Sequence, residues 1–271
     1  MFGVAMALLY LSPSLAIMKW KTLVDCYNPR VPYNSLKDFF FKSLFLGVIT
    51  PGKLGELWKA KYLSDKGDIS LGNAFFTVAM DRLIDIIVMA LVAIVGIIML
   101  LTDKTKAQWA AIILILLLII SAVYFLFKKE KLIKAIRFLF SYFPKKLKDK
   151  INPHLDDFLD GIEKIKFLLF LKLLAYGFAY YFLTVLIYYF LAMSLGIYMS
   201  FPALFMIVAV VMMIMLLPLT VFGLGTREAG YIFFFSLYGI SASLALAFSL
   251  FVLLTGIILS IPGIILFLRK K

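Results

Sequence analysis

The chain has 271 residues, of which 64% are hydrophobic, and its 28 Lys plus Arg against 15 Asp plus Glu give a formal net charge of +13. A mean hydropathy of +1.03 exceeds what a soluble domain of roughly half-apolar composition carries, which excludes a water-soluble globule. The bases cluster beside apolar runs, a pattern of cytoplasmic loops and of attraction to anionic lipid, so nucleic acid is not the expected partner.

Runs such as 112–127, 168–193, 203–217 and 244–268 carry few or no charges. A bilayer core offers no water to hydrogen-bond the backbone, so such runs are helices and the expected fold is all-α. Residues 1–18 resemble the apolar region of a signal peptide, but no basic stretch precedes them, and they read as a retained helix running inward. Residues 19–38 hold Lys19, Lys21, Arg30 and Lys37 and read as a cytoplasmic loop.

The next apolar arm, Phe39 to Pro51, has about 13 residues, or roughly 20 Å of helix against a core of roughly 30 Å. It is broken by Pro51, Gly52 and Gly55 before Lys59 and Lys61, so the segment 36–63 is expected to enter and leave on the cytoplasmic side. Residues 71–101 then run outward, 102–108 form an outer loop with Asp103, Lys104 and Lys106, and 107–127 run inward.

Residues 128–166 hold eleven Lys or Arg against six acids. Within them, Leu132, Ile136, Leu139 and Phe143, then Leu147, Ile151, Leu155, Phe158, Ile162 and Ile165, recur every three or four residues. That spacing describes two amphipathic helices on the inner surface, divided around Pro144 to Pro153, with lipid packing or partner docking as the two readings. Residues 167–193 run outward and the uncharged 194–202 lie outside. The segment 203–239 is broken by Pro218, Gly223 and Gly225, and either re-enters from outside or spans twice with the same parity. Residues 242–268 run inward to Arg269, Lys270 and Lys271, placing the C-terminus in the cytoplasm.

The whole chain, 1–271, reads as one membrane domain: a first half 1–127 with a broken helix at 50–56, a linker 128–166, and a second half 167–271 with a broken helix at 218–228. That is about five full transmembrane helices plus two broken, re-entrant helix pairs in an inverted-repeat-like arrangement. The plasma membrane of a bacterium or archaeon is the expected location.

Three constellations carry chemistry. At Pro51-Gly-Lys-Leu-Gly-Glu56, glycines allow close approach of a ligand, and freed N–H groups beside Lys53 suit a phosphate; the plainer reading is a hairpin turn with Glu56 complementing a helix dipole. The stretch Pro218 to Glu228 repeats that grammar, with Arg227 offering a fork for phosphate or carboxylate; its plainer reading is a pair of Arg227 with Glu228 or Glu56 that joins helices. In Asp81-Arg82-Leu-Ile-Asp85, Asp85 falls inside the hydrocarbon, so it faces a cavity or a cation, Arg82 one turn away being the local candidate. The Met-rich stretch 206–215 reads as packing. His154, the single histidine, and Cys26, the single cysteine, assemble no metal or disulfide site.

Through Ala16 to Leu23, Ile49-Thr-Pro-Gly-Lys-Leu-Gly-Glu56, Asp81-Arg-Leu-Ile-Asp85 and Leu217-Pro-Leu-Thr-Val-Phe-Gly-Leu-Gly-Thr-Arg-Glu-Ala229, the chain resembles the flippase-like domain family, the transmembrane region of lysylphosphatidylglycerol synthase and of multiple peptide resistance factors. The resemblance implies handling of polar-headed lipids, with related domains beside glycosyltransferases that use polyprenyl carriers. The family commonly has a further N-terminal helix. It usually has Arg where Lys53 stands, Glu at Asp81 and a glycine-rich turn at Val221-Phe222, departures that bear on headgroup specificity more than on fold.

The expected function is lipid flipping: an anionic phospholipid or polyprenyl-phosphate headgroup in a polar cavity, its phosphate held by Lys53 and Arg227, with Glu56, Arg82, Asp85 and Glu228 around it. Rival readings are a transferase, for which no soluble catalytic domain is visible, and a subunit that presents lipid to a partner enzyme. A second copy of the chain is the other candidate partner. No nucleotide-binding loop is present, and no cofactor or metal is expected.

Overall fold

The computed structural model describes residues 1–50, 54–101, 128–142, 144–216, 220 and 223–269. Among these, every regular element is helical: α1 (Phe2–Val24), α2 (Tyr33–Ile49), a 3-10 turn (Leu54–Leu57), α3 (Trp58–Lys66), α4 (Leu71–Leu101), α5 (Lys129–Ser141), α6 (Lys145–Lys164), α7 (Phe167–Ser194), α8 (Phe201–Met215), α9 (Thr226–Ser236) and α10 (Ala242–Leu268). Pro51, Gly52, Lys53, Pro218, Val221, Phe222 and the outer loop and helix expected over 102–127 lie outside the described residues.

Helices α1, α7 and α10 are long and apolar enough to cross a membrane. Their 23, 28 and 27 residues correspond to roughly 35 to 42 Å, beyond the roughly 30 Å core. By the same rise, α2 and α8, with 17 and 15 residues, reach about 25 and 22 Å.

Each short helix is followed by a returning arm packed on it. Phe39 stacks on Tyr62 with ring centroids 5.8 Å apart, and nearer the turn a Cβ on Gly47 would meet the Glu56 side chain, so α2 and the arm through α3 are antiparallel. Within this hairpin Gly55 approaches most closely: a Cβ there would lie 2.3 Å from the Leu46 carbonyl oxygen, which only glycine avoids. In the second half, Gly223 approaches Met215 and Gly230 approaches Val211, so α8 and α9 fold back in the same way.

The two halves share one register. The interval from Tyr33 to Phe201, the first residues of α2 and α8, also separates Trp58 from Thr226, the first residues of α3 and α9. Packing follows the same exchange. Helix α1 packs on α7, its counterpart, while α2 packs on α10 and α8 packs on α4, so each hairpin is braced by the long helix of the other half. Phe41 lies over Gly263 and Phe45 meets the Phe267 ring at 5.7 Å; across the molecule Met206 lies on Gly96. The Met-rich stretch therefore packs, as expected, although Met212 and Met215 also reach an interior cavity.

Two expectations need correction. The first helix does not end at residue 18. No Gly or Pro interrupts the chain after Pro13 until Pro29, so α1 runs on to Val24 and carries Lys19 into the core, 1% exposed. The linker helices divide at Tyr142 to Pro144, and Pro153 sits inside α6. The helix continues through it with an apolar stripe docked on α4: Phe158 meets Phe76 at 5.5 Å, Leu159 is buried, and the His154 carbonyl lies against Gly72. Helix α5 joins α6 through an Arg137–Asp156 pair at 2.7 Å. The linker thus lies on the protein itself along α6.

Candidate functional site

Helix α4 supplies two acids of the site. Asp81 and Asp85 are four residues apart, one turn, so both face the same neighbours. From α1, the buried Lys19 ammonium lies 3.1 Å from Asp81 Oδ1 and contacts Asp85 as well. From α3, Lys59 lies 3.0 Å from Asp81 Oδ2 with its side chain 0% exposed, and its ammonium sits 5.1 Å from the Trp20 ring centroid. Trp20 is held in turn by donating to Thr77 Oγ1 at 3.1 Å. On the other side, Arg82 pairs with Glu56 of the 3-10 turn and lies 3.8 Å from Asp85.

These six groups form a chain of alternating sign: Glu56, Arg82, Asp85, Lys19, Asp81, Lys59. Three positive and three negative charges balance, which makes burial tolerable, because an unpaired charge in a low-dielectric interior costs several kcal/mol on the order of its desolvation. The local Arg82–Asp85 pair expected from spacing is present but is the longest contact of the chain; Arg82 is drawn to Glu56. Lys19 and Lys59 were not legible as site residues, and the signal for Lys19 was the uninterrupted helix that carries it past residue 18.

The second half builds a smaller cluster. Gly225 has φ of +86°, a conformation that favours glycine, and starts α9. The Gly225 N–H donates to the Glu228 carboxylate at 2.5 Å, the return half of a capping box. Arg227, 1% exposed, donates from Nε to Ser249 Oγ at 2.8 Å and pairs with Glu228, while Ser249 donates to Glu228 at 3.0 Å. Arg227 therefore pairs with Glu228 and Ser249, and Glu56 pairs with Arg82, so the alternative Arg227–Glu56 pair does not form.

A cavity of about 290 Å³ lies between the halves. Glu56, Arg82 and Asp85 line it from the first half and Arg227 from the second, with Tyr180 and Tyr188 of α7 between them. Of the expected site residues, these four meet on one cavity. Glu228 stands behind Arg227 as its partner, and Gly55, Gly223 and Gly225 shape the backbone. Among the described residues, no group of three or more His, Cys, Asp and Glu side chains is arranged to hold a metal ion.

An apolar helical bundle with an ionic network around an interior cavity defines a polytopic membrane protein of all-α class. The chain belongs to the family of the lysylphosphatidylglycerol synthase TM region, whose model matches residues 1–263. No curated protein and no solved structure matches it. Membership of that family ties the chain to a lipid-related function in the membrane.

Proposed function

We propose that the chain is a lipid flippase-like protein that binds a phospholipid or polyprenyl-phosphate headgroup in the cavity between its halves and moves it across the membrane. The observation that carries this reading is the cavity itself: two arginines from different halves, Arg82 and Arg227, line one space whose other walls are largely apolar and aromatic. At about 290 Å³ it lies near the lower edge of the roughly 300 to 1,000 Å³ of small-ligand sites, enough for a headgroup while the chains stay in lipid.

The architecture supports alternating access. Arms of about 25 and 22 Å are too short to span, so both broken segments are read as re-entrant, and the exchanged packing of the halves fits inverted repeats whose broken helices meet at the midplane. Two further elements of this reading rest on the distribution of bases: location in the plasma membrane of a bacterium or archaeon, and a cytoplasmic C-terminus. A subunit that presents lipid to a partner enzyme without transport is the second reading, and the docked, basic α5–α6 linker is the feature that favours it.

The test is reconstitution in liposomes with a fluorescent anionic phospholipid, following its loss from the outer leaflet to a membrane-impermeant quencher. Transport that falls in Arg227→Lys and vanishes in Arg227→Leu, with folded protein in both, is the expected result, since lysine keeps the charge but loses the fork. Should Arg227→Leu misfold and a double Arg227→Leu, Glu228→Leu variant recover both folding and transport, Arg227 is only a helix tie and its role in holding the headgroup fails. Binding without movement in the unaltered protein selects the presenting subunit.

A further inference from the structure

We propose that anion binding in this cavity is linked to uptake of one proton by Glu56, so that the headgroup and a proton enter together. The inference rests on the cavity being the anion site described above, and it follows from how unequally the six charges are held. Asp81 has two buried lysines, Lys19 and Lys59. Asp85 has Lys19 in addition to Arg82. Among the described residues Glu56 is paired with Arg82 alone, although its side chain is only 6% exposed.

Arg82 is the accessible member. Its side chain is 36% exposed, it lines the cavity, and its buried Nε has no hydrogen-bond partner among the described residues. A phosphodiester that reaches the cavity finds a guanidinium with a donor to spare and competes with Glu56 for it. When Arg82 turns to the phosphate, Lys19 still compensates Asp85, but Glu56 is left with no charged partner among the described residues, in a site of low polarity. Such a group neutralises by binding a proton instead of remaining charged. The step balances: one monoanion and one proton enter, and the three-plus, three-minus network returns to neutrality.

No other charged group stands in for Arg82 among the described residues around Glu56. The facing stretch of α2, Leu44 to Val48, has no ionisable side chain. On α3, Lys59 is committed to Asp81. On α4 stand Arg82 and Asp85, on α1 Lys19 bonded to both aspartates, on α7 Tyr180 facing Asp85 and Arg82, and on α9 Arg227 bonded to Ser249 and Glu228. The cavity-lining part of α10, Val252 to Leu259, carries no charge.

The experiment is isothermal titration of the full chain in detergent with dihexanoylphosphatidylglycerol and, separately, dimethyl phosphate. Neither ligand titrates near neutral pH, so protons taken from buffers of different ionisation enthalpy are counted directly. About one proton per bound anion is expected, with Kd rising about tenfold per pH unit above neutrality, and Glu56→Gln should bind without uptake. Uptake with the lipid alone marks a lipid as the occupant; equal uptake with dimethyl phosphate marks a free phosphodiester, and both results support the linkage. Binding of either without proton uptake, or uptake that persists in Glu56→Gln, overturns the linkage but leaves the anion site standing. Binding of neither overturns the site and the linkage together. Where Glu56→Gln does not fold, a protonated-carboxyl infrared band that grows on ligand binding in the unaltered protein is the expected signature, and its absence overturns the proposal.

Discussion

Lys59 and Arg227 hold the same place in the two halves, each at the second position of the returning helix. The interval between them also separates Asp81 from Ser249, their respective partners. Where the first half seals a cation against a carboxylate, the second offers its cation only a hydroxyl from the long helix and recruits Glu228 from its own. The first half thereby holds its base fully enclosed, while Arg227 reaches the cavity wall.

Changing Ser249 to Asp should give the second half the ion pair of the first. Arg227 would then be held by two carboxylates, and anionic lipid binding should weaken about tenfold or more, equivalent to about 1.4 kcal/mol, with the folded yield unchanged. Titration of a short-chain phosphatidylglycerol into the purified variant checks this; unchanged affinity would show that Arg227 does not touch the ligand.

Removing Lys59 leaves Asp81 with Lys19 alone in a site closed to water. Lys59→Met should therefore destabilise by about 3 to 5 kcal/mol, as for loss of one partner of a buried pair. Adding Asp81→Asn should recover part of that loss, and thermal unfolding in detergent of the single and double variants reads the coupling. Equal instability of the two would place the cost in lost packing on Trp20 instead.

At Gly55, Ala places a Cβ 2.3 Å from the Leu46 carbonyl oxygen, and neither the Cβ, fixed on its Cα, nor the backbone carbonyl can swing aside. Gly55→Ala should cost about 1 to 3 kcal/mol or more, and because Glu56 follows directly, lipid binding should fall with it. Gly3→Ala meets nothing within 4 Å and serves as the control, with no loss of melting temperature.

Topology can be read with thiols. In a Cys26→Ser background, Lys37→Cys and Ser64→Cys lie near the two ends of the first hairpin, and both should react with an impermeant maleimide from the same face of sealed vesicles. Reaction from opposite faces would refute a re-entrant hairpin.

Apolar runs and Pro/Gly breaks made most helices and both hairpins visible in the sequence, because hydrocarbon demands them locally. The charged site was only partly visible. Glu56, Arg82, Asp85 and Arg227 stood out as charges beside breaks or inside apolar stretches, whereas Lys19, at the edge of an apolar run, looks like a loop base until its aspartates, distant in sequence, are brought against it. The shared register of the halves was hidden for a similar reason. Asp81 answers to Ser249 and Lys59 to Arg227, so what repeats is helix length and packing partner more than side-chain chemistry.

The contact of Phe41 with Gly263 joins residues far apart in the sequence, which bears on biosynthesis. The first hairpin leaves the ribosome well before its bracing helix α10, so the arm that carries Glu56 waits in the membrane through that interval without this support. Insertion of this chain is therefore expected to depend on an insertase that shelters the unbraced hairpin, and a ribosome stalled before residue 242 should leave it cross-linkable to that machinery.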